Sequence, residues 1–321
     1  FYMNFFNNKN IAITGTNGKS TTSKLLFDIL KDQKIDARLV GNIGNPVLNE
    51  KKITQKTLFV IEASSYQLEY SKFFKTNYGL ILNISPDHLE RHGTLSNYVK
   101  SKLKLLRNQT SKDYSFFNKR DKFIKKAISK ITINSKIVNV DIKYFKSKIK
   151  KIKNNYFLTF GNQQNLSFVF AIAEKLKLKN SKLLKSINNF KGLSFRQEIT
   201  SKSEKFTLIN DSKATSFSSS INILKSLNNV FWLVGGIPKK GDRFLLTKKQ
   251  CKSIKAYIFG KNKKYFIKNL EKKVKFQTFE NLEKAIKKII IDIKKEKNNE
   301  HKTILFSPSA ASFDSFKNFE D

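Results

Sequence analysis

Apolar positions along the chain change their period several times. "NIAIT" (10–14) is a short apolar run that reads as a buried strand. From Lys19 to Lys34 the side chains of Leu25, Leu26, Ile29 and Leu30 share one helical face. Strand-like runs return at 37–40, 58–63 and 78–84, and helical spacing lies between and after them, notably from Leu95 to Leu106. Such alternation predicts a parallel sheet covered on both faces. Residues 118–155 carry less signal, with short strands expected near 136–140 and 156–160. Helices are expected from near Asn162 and over 181–190, and "FKGLSFRQE" (190–198) reads as a hinge. A second series follows, with strands at 206–210, 229–234, 255–259 and 302–306 and helices at 214–226, 263–272 and 280–297. In the last helix Leu282, Ala285, Ile286, Ile289, Ile290 and Ile293 form a stripe opposite lysines, the pattern of a core-facing helix with a solvated back. The expected fold class is α/β. A central P-loop-type domain with a mostly parallel sheet occupies 1–192, and a smaller C-terminal open α/β, Rossmann-like domain occupies 193–321.

Composition narrows the function classes. A length of 321 residues suffices for two cores. No apolar run approaches the length of about 18 residues that spans a bilayer, so no membrane insertion is expected. Cys251 is the only cysteine, which excludes a disulfide framework and a cysteine zinc site and fits a reducing cytoplasm. The net charge of +38 invites a nucleic-acid reading, but only six of the 63 basic residues are Arg, the side chain suited to bidentate phosphate and base contacts. Lysines spread among Asn, Ile and Phe fit a solvated surface that still attracts anionic substrates, and no nucleic-acid partner is expected.

The chemistry gathers at strand ends. "ITGTNGKSTT" (13–22) links a strand to a helix N-terminus, the setting of a phosphate loop, although Ile13 stands where the strict pattern has its first glycine. The backbone N–H groups of Thr16, Asn17, Gly18 and Lys19 can point at phosphate oxygens, and Gly15 and Gly18 permit the turn. Lys19 would neutralise the terminal phosphates, and a Ser20 or Thr21 hydroxyl suits Mg²⁺. Glu62 ends a strand, at the edge where ligands of open α/β sheets gather, and a carboxylate there can hold nucleotide-bound Mg²⁺. His88, in "NISPDHLERHG" (83–93), follows another strand and can ligate a divalent ion when neutral. The "NQQN" amides (162–165) can read a purine or ribose, or cap a helix. In the second half "INDSKATS" (209–216), "VGGIPKKGD" (234–242) and "FSPSAASFDSFKNF" (306–319) each follow a strand and together describe a polar, anion-friendly site.

These residues resemble the Mur ligases nearly end to end. The matches include "TGTNGKST", "GNIG" (41–44), "EASSYQLE", "SPDHLERHG", Lys102 on its helix, "NQQN", "FRQE", "NDSKATS" and "SPSAASFDSFKNFED". The segments "SSYQLE", "DHLERHG" and "SFDSFKNFE" resemble the branch that adds D-glutamate to UDP-N-acetylmuramoyl-L-alanine in peptidoglycan synthesis. A phosphate loop without a glycine at position 13 is normal in this family. The resemblance implies an ADP-forming, ATP-dependent acid–amino-acid ligase that works through an acyl phosphate, as a monomer in the bacterial cytoplasm. It implies that Lys19, Ser20 and Thr21 hold ATP and Mg²⁺, that Glu62 ligates the first of two Mg²⁺ ions, and that His88 and Lys102 serve the second, with Lys102 carbamylated. By the same resemblance Asn42, Gln67 and His88 line the channel for the muramoyl-alanine substrate, and Asn162, Asn165 and Arg196 contact ATP. Lys213, Ser312 and Phe319 are expected to hold D-glutamate, with Asp211 supporting Lys213. In "GGIPKKGD" either Lys239 or Lys240 can take the family's lysine role. The family pattern has a UDP-gripping domain ahead of the segment that starts here at Phe1, and runs beyond Asp321. On that pattern this chain is expected to bind ATP but to hold the UDP-sugar poorly, with a severe loss of turnover. The competing expectations are another Mur-type or folylpolyglutamate-type amide ligase and, from a different class, a Lys-rich ATP-dependent nucleic-acid binder.

Overall fold

Five buried residues, Asn10–Thr14, form β1, and the first sheet is assembled outward from it. The computed structural model describes residues 7–239, 241–296, 300–314 and 317, and the chain divides into two units, Phe1–Lys191 and Gly192–Asp321. In the first unit β1 is followed by α1 (Lys19–Asp32), β2 (Ala37–Gly41), β3 (Leu58–Glu62), α2 (Ser65–Tyr70) and β4 (Tyr78–Ile81). Then come α3 (Leu89–His92), α4 (Leu95–Leu103), β5 (Tyr114–Phe117), α5 (Lys122–Ile128), β6 (Lys136–Asn139), α6 (Lys146–Ile149), α7 (Phe160–Lys175) and α8 (Asn180–Asn189). The strand order is β2-β3-β1-β4-β5-β6, and every pairing is parallel. Side chains of β1 alternate between the two faces, as a period of two requires. Ile11 and Ile13 pack with Leu25, Leu26 and Ile29 of α1 and Leu166 and Val169 of α7. Ala12 packs on the opposite face with Tyr98, Val99 and Leu103 of α4. Each fully buried Leu or Ile contributes about 1.5–3 kcal/mol relative to exposure, so both layers are held firmly on the strand that carries the loop.

The expected strand near 156–160 is not one. Residues Asn155–Phe157 form a 3₁₀ turn, and α7 starts at Phe160 behind a Thr159 cap. The aromatic run favours a strand locally, but Asn154 overrides it. Its carboxamide accepts from Tyr156 N (3.0 Å) and donates to the carbonyls of Ile187 (3.0 Å) and Phe190 (2.7 Å), tying the segment to the end of α8. Tertiary contacts outweigh β-propensity here.

The second unit contains β7 (Glu198–Lys202), β8 (Phe206–Asn210), α9 (Phe217–Leu224), β9 (Val230–Gly235), β10 (Ile254–Phe259) and α10 (Lys263–Leu270). It continues with β11 (Lys275–Thr278), α11 (Leu282–Lys295) and β12 (Lys302–Phe306). Its order is β11-β10-β9-β12-β8-β7. Five strands are parallel, and β7 closes the edge antiparallel to β8. The hinge expected at 190–198 therefore runs into an edge strand. Trp232, Phe217, Phe244 and Phe266 fill the core. On α11 only Ala285 and Ile289 are buried, while Ile286, Ile290 and Ile291 are 40%, 45% and 46% exposed, so its apolar stripe is only partly covered within this unit. Among the described residues no helix is long and apolar enough to cross a membrane.

Candidate functional site

The loop after β1 is held from both sides. Gly18 caps α1 with φ 86, in the left-handed region, and a Cβ there would overlap the Asn165 carboxamide. That close approach requires glycine. Lys19 folds back over the turn, its Nζ donating to the carbonyls of Gly15 (2.9 Å) and Thr16 (2.9 Å). The segment after β4 clamps the other side. Asn83 accepts from Asn17 N through Oδ1 (2.9 Å) and donates to Asn17 O through Nδ2 (3.0 Å). Thr16 N donates to Asn83 O (3.0 Å), and Thr16 Oγ1 accepts from Ser85 N (3.0 Å) and lies 3.1 Å from the Tyr98 hydroxyl. Asn162 and Asn165 are both buried behind the loop, 3.4 Å apart, and Asn162 Nδ2 donates to Tyr156 O (2.6 Å). Ser20 and Thr21 begin α1 and are also buried.

Beside the loop lies Glu62. Strand pairing sets it next to Ile13, two residues before Gly15. Its side chain is buried, and Oε1 accepts from Asn42 Nδ2 (2.8 Å). Oε2 has no hydrogen-bond partner among the described residues. A buried carboxylate oxygen left without a donor calls for an explanation, and a hard cation supplies one. Among the described residues no group of three His, Cys, Asp or Glu forms a metal cage. The donors at hand fit Mg²⁺ nonetheless, because that ion commonly uses one or two carboxylates and completes its shell with water and phosphate oxygens.

Lys102, on α4, is 1% exposed, with Nζ donating to Gly15 O at 2.9 Å and lying 4.5 Å from the centre of the Tyr98 ring. Burial holds its amine well below the usual lysine range, and Lys19 pushes the same way against the pull of Asp87 and Glu62. His88 lies seven residues beyond the end of β4, since that strand stops at Ile81 rather than running to 84. It caps α3 with φ 52. Its Nδ1 is 2.8 Å from the Tyr66 hydroxyl, and its Nε2 is 3.5 Å from Asp87 Oδ2. Gln67 is exposed, but its Oε1 already accepts from Ser64 N (2.9 Å) in the capping box of α2.

In the second unit the three polar segments meet. Asp211 Oδ2 accepts from Ser307 Oγ (2.8 Å) and Oδ1 from Gln197 N (3.1 Å). Burial pushes the Asp211 carboxyl up to about 7, against those two hydrogen bonds and Arg196. The 234–242 turn joins the 306–319 segment through Gly235 N to Pro308 O (3.1 Å) and paired backbone bonds between Ile237 and Ala311 (2.7 and 3.0 Å). Trp232 Nε1 donates to Ser307 O (2.8 Å). Lys213 is exposed, with its backbone N–H donating to Phe195 O (3.1 Å), and Ser312, Arg196 and Lys239 are half-buried. Phe319 and Lys240 lie outside the described residues.

Sequence reasoning did not single out Asn83, Ser85, Tyr66 or Tyr98. Tyr98 precedes Lys102 by one helical turn, a spacing that puts both on one face. Asn83 and Ser85 sit just past a strand end, the position that also flagged His88.

Comparison with known proteins places the chain in a family. A family model described as the Mur ligase middle domain matches residues 13–202. The UDP-N-acetylmuramoylalanine–D-glutamate ligase of Rickettsia felis is 34% identical, with 97% of this chain and 72% of the relative aligned. Among solved structures, MurF from Acinetobacter baumannii superposes with a TM-score of 0.71 at 18% identity, covering 96% of this chain and 75% of that one. Mycobacterium tuberculosis folylpolyglutamate synthase, solved with ADP and AMPPCP, gives 0.68 at 10% identity, covering 96% and 91%. At such identities the two structures speak for the fold alone.

Proposed function

The chain belongs to the Mur ligase family, ATP-dependent amide ligases of peptidoglycan synthesis, and from that premise we propose that it joins D-glutamate to UDP-N-acetylmuramoyl-L-alanine. The observation that carries the reading is the meeting of Lys19 and Lys102 on the Gly15 carbonyl, beside the unpartnered oxygen of Glu62. The name of the 34% identical relative supports the substrate pair.

In the proposed reaction a carboxylate oxygen of the muramoyl-alanine substrate attacks the γ-phosphorus of ATP and ADP leaves. The resulting acyl phosphate is attacked at carbon by the D-glutamate amine, the carbon–oxygen bond breaks, and phosphate and a proton depart. Carboxylate is a poor electrophile, and phosphorylation gives it a leaving group. The backbone of Thr16 to Lys19 cradles the phosphates, and the Lys19 amine offsets charge on the transferring group. Ser20 and Glu62 would hold one Mg²⁺ and His88 and Lys102 a second, and bound Mg²⁺ supplies electrostatic stabilisation of the phosphoryl oxygens. Burial of Lys102 favours loss of its proton, the neutral amine is the form that adds CO₂, and carbamylation would make the side chain an anionic ligand. Asn162 and Asn165, which hold the loop from behind, would contact ATP, and Arg196 is assigned an ATP contact by the family resemblance. Asn42 and Gln67 line the muramoyl-alanine channel. In the second unit Lys213, Ser312 and Phe319 would hold D-glutamate, with Asp211 supporting Lys213. The bacterial cytoplasm is the place of this reaction.

A panel of amino acids tests the proposal. Phosphate release from ATP, at the much reduced turnover expected of this chain, is expected with UDP-N-acetylmuramoyl-L-alanine and D-glutamate together and with no other amino acid. Equal release with L-glutamate, or with a folate acceptor in place of the UDP-sugar, would move the chain to another branch of the superfamily.

A further inference from the structure

Tyr66 enters none of the roles above, yet it is a hydrogen-bond partner of the His88 ring. Its hydroxyl lies 2.8 Å from His88 Nδ1, and the rings meet edge to face with centroids 5.1 Å apart. The far side of Tyr66 stacks on His92 at 5.6 Å and 19°. His92 is buried and held in place by two hydroxyls, Ser65 Oγ at 3.0 Å from Nε2 and Ser101 Oγ at 3.4 Å from Nδ1. The phenol ring therefore stands on a fixed platform built from α2, α3 and α4. His88 Nε2 points the other way, 3.5 Å from Asp87 Oδ2.

We propose that Tyr66 is a positioning residue for the ligase reaction: its hydroxyl oxygen accepts the Nδ1 proton of neutral His88, so that Nε2 keeps the lone pair offered to a divalent cation. The inference rests on the reading of His88 as a metal ligand. A neutral imidazole carries one proton, and Nε2 can ligate only when that proton sits on Nδ1. The tautomer is set by whatever accepts at Nδ1, and such partners govern ligand orientation and basicity. Of the described groups near Nδ1, the Tyr66 hydroxyl at 2.8 Å is within hydrogen-bond reach, while Glu90 Oε1 at 3.5 Å is not well placed for it. The Nε2 side faces a carboxylate, which suits a shared cation.

Tyr66→Phe tests this, because it keeps the ring and its stacking and removes only the oxygen. The first readout is the long-range ¹⁵N–¹H spectrum of His88 in the metal-free chain. The expected wild-type pattern is protonation at Nδ1, shifting toward Nε2 in the variant with an unchanged melting temperature. An identical His88 pattern in both proteins overturns the proposal whatever the protein's activity. The second readout is Mn²⁺ titration in the presence of ATP, where the variant is expected to need about tenfold more metal. His88→Ala serves as the control for the underlying reading. If it leaves the Mn²⁺ requirement unchanged, His88 is not a ligand, and the spectrum alone still decides whether Tyr66 sets its tautomer.

Discussion

Lys102 and Lys19 donate to one oxygen: each amine lies 2.9 Å from the carbonyl of Gly15. Two lysines converging on one acceptor in a buried setting cannot both carry a full charge at low cost, and Lys102 is the more deeply buried. Lys102→Ala is expected to abolish ligase activity, and short-chain carboxylic acids are expected to restore part of it by occupying the space of a carbamate. Loss of activity with no restoration would reduce Lys102 to a packing residue.

Asn83 makes two hydrogen bonds to the backbone of Asn17 (2.9 and 3.0 Å). Each such bond is worth roughly 0.5–1.5 kcal/mol. Asn83→Ala should therefore weaken ATP binding about tenfold, read by calorimetric titration, with the circular dichroism spectrum unchanged. Undiminished affinity would show that the clamp on the loop is dispensable.

Glu62 buries a carboxylate oxygen that no group among the described residues satisfies. Its replacement by Gln removes a charge from a dry position while keeping the oxygen that accepts from Asn42. The variant is expected to melt no lower than the wild type while requiring much more Mg²⁺ for turnover. A lower melting temperature with an unaltered Mg²⁺ response would assign Glu62 to structure and not to the metal.

Asp211 couples the second unit to pH. Its carboxyl is raised from 3.8 to about 7 by burial, so between those values the folded chain holds a proton that the unfolded chain has released. Its contribution to stability is complete below the unfolded value and is lost as pH rises through about 7. Trp232 is the only tryptophan and is buried in this unit, so its fluorescence follows the unit's unfolding. The urea midpoint read this way should fall between about pH 5 and about pH 8, and Asp211→Asn should flatten that fall. The same slope in both proteins would place its origin in another group.

The parts of the fold legible in sequence were those whose signal is local. β1 and α1 follow from an apolar run, a glycine turn and one helical face within 23 residues, Asn10 to Asp32. The edge strands β7 and β11 escaped because "EITSK" and "KFQT" are mostly exposed and have no buried face to pattern. The 3₁₀ turn at Asn155–Phe157 escaped because its cause, the grip of Asn154 on α8, lies more than 30 residues away. The loop, Glu62, His88 and Lys102 were legible as chemistry or by resemblance. Asn83 and Tyr98 were not, because they reach the loop across 66 and 82 residues, and only pairing β4 beside β1 and laying α4 on the sheet brings them there.

The loop-bearing strand lies inside its sheet, flanked by β3 and β4, with all five residues sheltered from solvent. A ribbon enclosed in this way opens only when the whole unit comes apart, so its amide hydrogens should be among the slowest in the unit to exchange. The nucleotide cradle inherits that all-or-none character. Weakening changes elsewhere in the first unit should thin the population of working molecules before they slacken the cradle in any single one.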